Sequence, residues 1–201
     1  INSNDKSILS LTDIGKSLLT DDLNLTLNSN GSVNSCAIFN STESHRYYLS
    51  RQWSTSKPLV ACMLNPSTAD AFKNDPTVQI IENLAKSMNC GGFIVLNFAA
   101  IRATDPRDMI SSNDPFGEYN LYAIKKTLSQ IVGRWRIKPD ILLAYGNNIE
   151  KLPTGIHVAN NINRICARYG NLKCLKITKK GFPQHPLYLS RDIKPGRYLP
   201  W

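Results

Sequence analysis

From Leu59 onward, short apolar runs of strand length alternate with longer segments of helical periodicity. LVACML (59–64) predicts a strand. In PTVQIIENLAKSM (76–88), Val78, Ile81, Leu84, Ala85 and Met88 share one helical face, with Asp75 placed to cap and Pro76 suited to the first helical position. Asn89-Cys90-Gly91-Gly92 ends that helix, and FIVLN (93–97) predicts the second strand. EYNLYAIKKTLSQIV (118–132) reads as a second helix with Leu121, Ile124, Leu128 and Ile131 inward. ILLAY (141–145) is a third strand, Thr154 to Tyr169 a third helix ended by Gly170, and KCLKI (173–177) a fourth strand. This alternation predicts an α/β fold of three layers, α/β/α, with a central four-stranded parallel sheet joined by right-handed crossovers.

Upstream, SCAIFN (35–40) and RYYLSRQW (46–53) alternate as strands do, and the turn-prone STESH between them predicts a hairpin. Residues 1–34 are rich in Ser, Asn, Asp and Leu, with a short helix expected from Thr12 or Asp13 to Leu19 and a loop at NSNGSVNS. They read as an N-terminal extension, partly helical or flexible, to a single α/β domain over 35–201.

Composition narrows the class. Hydrophobic residues make up 42% and charged residues 19% of the 201, ordinary for a globular chain, and no apolar run approaches the ~18 residues of a membrane span. The start, INSNDKSILS, has neither a basic leader nor an apolar core of signal-peptide type, so no secretory signal is expected. The five cysteines are scattered without CxxC spacing, which predicts reduced thiols, no metal site and a cytoplasmic location. From Arg164 to Trp201, nine basic side chains face Asp192 alone and carry +8 of the net +9. A concentrated basic block is the footprint expected for nucleic acid, although a solvated basic tail has the same composition. GxGxxG and GxxxxGK[ST] are both absent, so no dinucleotide or P-loop phosphate cradle, and no cofactor, is expected.

Ligands of open α/β sheets bind beyond the carboxyl ends of the strands. The first strand ends in Asn65-Pro66-Ser67-Thr68, the second in Asn97 followed by FAAIRATDP, the third in Tyr145-Gly146-Asn147-Asn148, and the fourth leads through TKKGFPQ to His185-Pro186-Leu187. Asn-Pro and His-Pro each serve as turn chemistry alone. Their common placement at one sheet edge is what points to a site.

This order of motifs resembles the uracil-DNA glycosylase superfamily over roughly residues 58–192. Asn65-Pro66 is similar to the Asn-Pro variant of its first motif, IVLNFAAIRA (94–103) to its second-strand segment, Tyr145-Gly146 to the aromatic-Gly pair ending its third strand, and HPLYLS (185–190) to its last motif. Leu64 departs from the usual glycine, the last motif lacks a serine directly after His-Pro, and the four cysteines of the iron–sulfur branches are absent. RYYLSRQW, MLNPSTAD, NDPTV, LNFAAIRATDP and the final HPLYL…PW resemble, more tightly, a bacterial and phage family known as domain of unknown function 1643, which brings no chemistry with it.

The superfamily resemblance implies a glycosylase that flips a nucleotide out of DNA and hydrolyses its N-glycosidic bond, working as a monomer. Asn65 would orient the water. Because an amide is a poor base, Asp70 or Asp75 would supply a carboxylate. His185 would donate to the departing base or touch a phosphate. Asn97 would read the base edge, Phe72 or Phe98 would stack on it, and Tyr145 would complete the pocket. Lys179, Lys180, Arg191, Arg102, Ser67 and Thr68 would meet phosphates. Ser67 stands where uracil-specific enzymes carry a bulky tyrosine, which predicts room for pyrimidines enlarged at C5, such as the modified bases of phage DNA. A non-catalytic nucleic-acid-binding module of the same fold and an enzyme of free nucleosides or nucleotides are the alternatives.

Overall fold

The computed structural model describes residues 10–200, so residues 1–9, the start of the expected extension, and Trp201 lie outside the described residues. The chain is a mixed α/β structure around one eight-stranded sheet. Its elements are α1 (Leu11–Lys16), β1 (Leu23–Asn30), β2 (Val33–Asn40), β3 (Arg46–Gln52), β4 (Leu59–Met63), α2 (Pro76–Ser87), β5 (Gly92–Asn97), α3 (Pro106–Ser111), α4 (Asn120–Trp135), β6 (Asp140–Ala144), α5 (Gly155–Tyr169), β7 (Asn171–Cys174) and β8 (Gly196–Arg197).

The strand order is β1-β2-β3-β5-β4-β6-β7-β8. β4 pairs parallel with both β5 and β6, and β6 pairs parallel with β7. The sheet is thus wider than the expected four strands. β2 and β3 form the expected hairpin, but it does not stand apart: β3 pairs antiparallel with β5, and all seven of its residues are buried. β1 and β8 add antiparallel edges. NSNGSVNS, read as a loop, is the tip of the β1–β2 hairpin, where Asn30 pairs with Val33 and Gly31 takes φ +60°.

Successive strand residues alternate between two apolar clusters. Val60, Cys62, Ile94, Leu96, Ile141 and Leu143 pack with α1, α4 and α5 on one face, while Leu59, Ala61, Met63, Phe93, Val95 and Leu142 pack with α2 on the other. α2 starts as its caps require, with Asp75 accepting from Val78 N–H at 2.8 Å and Pro76 following. In α4 the inward positions are Asn120, Ala123, Ile124, Thr127, Leu128 and Ile131. Leu121, expected inward, is exposed, because Asn120 takes the inward position one residue earlier and donates to the carbonyls of Asn97 and Phe98. All five cysteines are buried free thiols. No helix among the described residues is long and apolar enough to cross a membrane.

The described part of the expected extension is built into the same core. Leu11, Ile14 and Leu18 are buried beneath α4 and β3, Tyr48 Oη donates to the Leu11 carbonyl at 2.7 Å, and Gln52 Oε1 accepts from Leu11 N–H at 2.8 Å. Ile14→Ala is therefore expected to cost about 2–5 kcal/mol in urea denaturation. A loss within about 0.5 kcal/mol, the range of a surface change, would show that α1 is dispensable.

Candidate functional site

Beyond the carboxyl ends of β4 and β6 lies a cleft of about 750 Å³. Backbone hydrogen bonds hold its near wall. Phe98 N–H and Ala99 N–H continue the β5–β4 pairing onto the carbonyls of Met63 and Leu64, and Ala103 N–H donates to the Pro66 carbonyl at 2.9 Å. Asn65 Nδ2 donates to the carbonyls of Pro66 (2.9 Å) and Ala103 (2.8 Å). Both amide hydrogens are thereby used within the protein. The oxygen, which accepts from no described residue, is the part of the side chain left for water or ligand. Ser67 Oγ meets Thr104 Oγ1 at 3.3 Å on the same wall, and Thr68 stands on the exposed rim.

Asp75 lines the cleft from the start of α2. One carboxylate oxygen caps the helix and the other accepts no hydrogen bond from a described residue. Asp70 does not line the cleft: its Oδ1 accepts from the N–H groups of Phe72 and Lys73, closing a turn of its own loop.

The far wall comes from the segments after β6 and β7. Gly146, at φ +65°, donates its N–H to the Pro183 carbonyl at 2.7 Å, and Thr178 Oγ1 donates to Asn147 Oδ1 at 2.7 Å. A side-chain-bearing residue is strained at that φ, so glycine lets the two segments close against each other. His185 begins a short 3₁₀ turn, its Nδ1 accepting from Leu187 N–H at 3.4 Å, which places the ring proton of the neutral form on Nε2. Burial lowers the His185 pKa, against the opposing pull of the Asp75 charge. Tyr145 closes the inner wall; its ring lies 4.2 Å from that of Phe98 and its Oη accepts from Asn163 Nδ2 at 3.0 Å. Burial pushes its phenol up, so it stays protonated.

Arg46, the first residue of β3, also lines the cleft, and sequence reasoning missed it. β3 carries a bulge at Tyr47: Ile38 pairs with Tyr48 and Phe39 with Arg46, leaving Tyr47 between them. Tyr47 and Tyr48 both enter the cluster under α4, and Arg46 is turned to the α2 face. It is 1% exposed, with Nη1 donating to the Ala69 carbonyl (2.9 Å) and Nη2 to Asn97 Oδ1 (3.3 Å). Its Nε has no hydrogen-bond partner, and it makes no ion pair with a described carboxylate. Burial lowers its pKa to about 10, with Asp75 opposing, so it remains a cation at neutral pH.

Of the predicted residues, Asn65, Ser67, Thr68, Asp75, Tyr145, Lys179 and His185 come together around the cleft. The others do not line it, each for a physical reason. Asn97 is 2% exposed and lies behind Arg46. Phe98 is buried under Tyr145, whereas Phe72 is 66% exposed on the Asp70 turn. Arg102 donates to the Glu43 carbonyl and lies over the Phe39 ring, Lys180 is paired with Glu150, and Arg191 is exposed past the His185 turn. Among the described residues, no group of three or more His, Cys, Asp or Glu side chains is arranged to hold a metal ion.

The half-buried His185 makes stability pH-dependent. With its folded pKa below the ordinary 6.5, the unfolded chain takes up the proton first as pH falls. Stability therefore drops from about pH 6.5 downward until the folded pKa is passed. Urea denaturation is expected to show a shallower loss over this range for His185→Gln than for the wild type; equal slopes would overturn the neutral assignment.

Comparison with curated proteins finds no match. Residues 46–187, more than half of the chain, match the family described as "Protein of unknown function (DUF1643)", and the chain belongs to that family.

Proposed function

We propose that this chain is a DNA glycosylase hydrolysing the N-glycosidic bond of a flipped pyrimidine enlarged at C5, in a uracil-DNA glycosylase-like fold that serves in phage defence. The observation that carries the reading is the meeting of Asn65 and His185, from the first and last motifs of the resemblance, on one cleft with the Asp75 carboxylate on its wall. The parallel run β5-β4-β6-β7 supports the fold assignment.

In this reading a water is held by the free oxygen of Asn65 and delivered to C1′ of the sugar. The C1′–N bond breaks with its electron pair passing to the base. The water's hydroxyl bonds to C1′ and its proton passes to Asp75, the only one of the two expected carboxylates that lines the cleft. Neutral His185 donates from Nε2 to an oxygen of the departing base, and a neutral donor placed where charge develops stabilises the transition state without reorganising. Lys179 on the rim meets a flanking phosphate. With Ser67 and Thr104 forming the wall beside Asn65, no aromatic ring of a described residue closes off the C5 side.

Incubation with unmodified, uracil-containing and hypermodified phage DNA, followed by an abasic-site assay, tests the reading. Abasic sites are expected on the hypermodified DNA, and Asn65→Ala is expected to lower their rate of formation at least about 100-fold while DNA binding persists. No abasic sites on any substrate removes the enzymatic reading, and cleavage of uracil alone removes the argument from Ser67.

A further inference from the structure

The floor of the cleft holds an imbalance that the residues around it do not correct. Arg46 is a buried guanidinium with five N–H donors, of which two meet acceptors among the described residues, and with no described carboxylate paired to it. Next to it, Asn97 Nδ2 is buried with no hydrogen-bond partner. An unpaired buried charge and an unsatisfied buried donor each cost stability, and a chain carries them where something outside it supplies the missing acceptor. The bulge at Tyr47 sharpens the point, because a regular β3 would turn Arg46 toward the opposite face of the sheet.

We infer that the inner end of the cleft is an anion seat built on Arg46, and that its ligand is a planar pyrimidine-type ring bearing a negatively charged oxygen. This rests on the proposed function for its meaning: when the C1′–N bond breaks, the electron pair delocalises onto the ring oxygens, and Arg46 receives that charge while His185 donates its hydrogen bond. The seat suits a delocalised ring anion better than a phosphate. It is walled by Met63, Val78 and Tyr145, and bringing a compact dianion behind those side chains forfeits far more hydration than bringing a spread charge on a flat ring. The groups suited to phosphate, Lys179, Thr68 and Thr104, stand farther out on the rim or wall.

The test is direct binding, independent of turnover, with three probes: barbiturate, a pyrimidine ring that is an anion at neutral pH; uracil, neutral at the same pH; and inorganic phosphate. Calorimetry and thermal shift are expected to show barbiturate binding the wild type more tightly than uracil. Arg46→Gln should weaken barbiturate at least roughly tenfold, the size of a lost charge-assisted hydrogen bond. Because Arg46→Gln can fail by unfolding, Asn97→Asp is the companion variant. It places a carboxylate against Arg46, replaces the unsatisfied Nδ2, and is expected to raise the thermal midpoint while abolishing barbiturate binding. Barbiturate binding Asn97→Asp as well as wild type, or no barbiturate binding to the wild type, overturns the seat; Arg46-dependent binding of phosphate alone overturns the ring-anion ligand. Barbiturate binding without abasic-site formation on any DNA would leave the seat standing and remove the glycosylase reading, whereas abasic-site formation unaffected by Asn97→Asp would do the reverse.

Discussion

The buried guanidinium of Arg46 is the interaction on which the cleft depends. Its side chain ties together three parts of the chain that strand pairing brings near one another: the start of β3, the Ala69 carbonyl in the loop after β4, and the Asn97 side chain at the end of β5. Five residues along the same strand, Arg51 holds the Asp70 and Lys73 carbonyls of that loop. Two arginines of one strand thus fix the polypeptide between β4 and α2. That segment delivers Asp75 to the cleft and starts α2 with its cap in place. Were the loop free, ordering it on ligand binding would cost about 1–2 kcal/mol per residue in backbone entropy.

The walls are held mainly by the backbone. Ala103 to Pro66, Gly146 to Pro183 and Gln184 to Lys176 are main-chain hydrogen bonds that set loop against loop, so the side chains that face the cleft carry only part of the structural load. Asn65 keeps an oxygen, and Asp75 a carboxylate oxygen, that accept from no described residue. The electrostatics follow from burial: His185 is kept neutral, Tyr145 protonated and Arg46 charged with no described carboxylate in salt-bridge contact, so the cleft opposes one carboxylate to one desolvated cation.

Elements with strong local periodicity were legible. The apolar runs at 59–64, 93–97 and 141–145 and the helical faces of 76–88 and 154–169 are observed within a few residues as β4, β5, β6, α2 and α5. β1 was hidden because the alternation of Leu23, Leu25 and Leu27 is embedded in Ser and Asn, and an edge strand leaves half of that alternation exposed. β8 has two residues and no pattern to read. At the site, Asn65 and His185 were legible because Asn-Pro and His-Pro mark where strands and turns end. Asn97 carried the same signal, an asparagine closing a strand, yet its side chain is buried and its oxygen is taken by Arg46 from the neighbouring strand β3.

Hydrophobic periodicity and turn chemistry act over a few residues, so the amino-acid sequence by itself determined the order of strands and helices and the polar loops that follow the strands. Which loops share a cleft, and which side chains reach it, depended on pairing between distant segments. The antiparallel docking of β3 on β5, and a bulge of one residue that turns Arg46 over to the α2 face, are long-range facts with no local signature. A side chain in a strand changes face with a shift of a single residue. For that reason the cation at the floor of the cleft was decided by the tertiary structure alone.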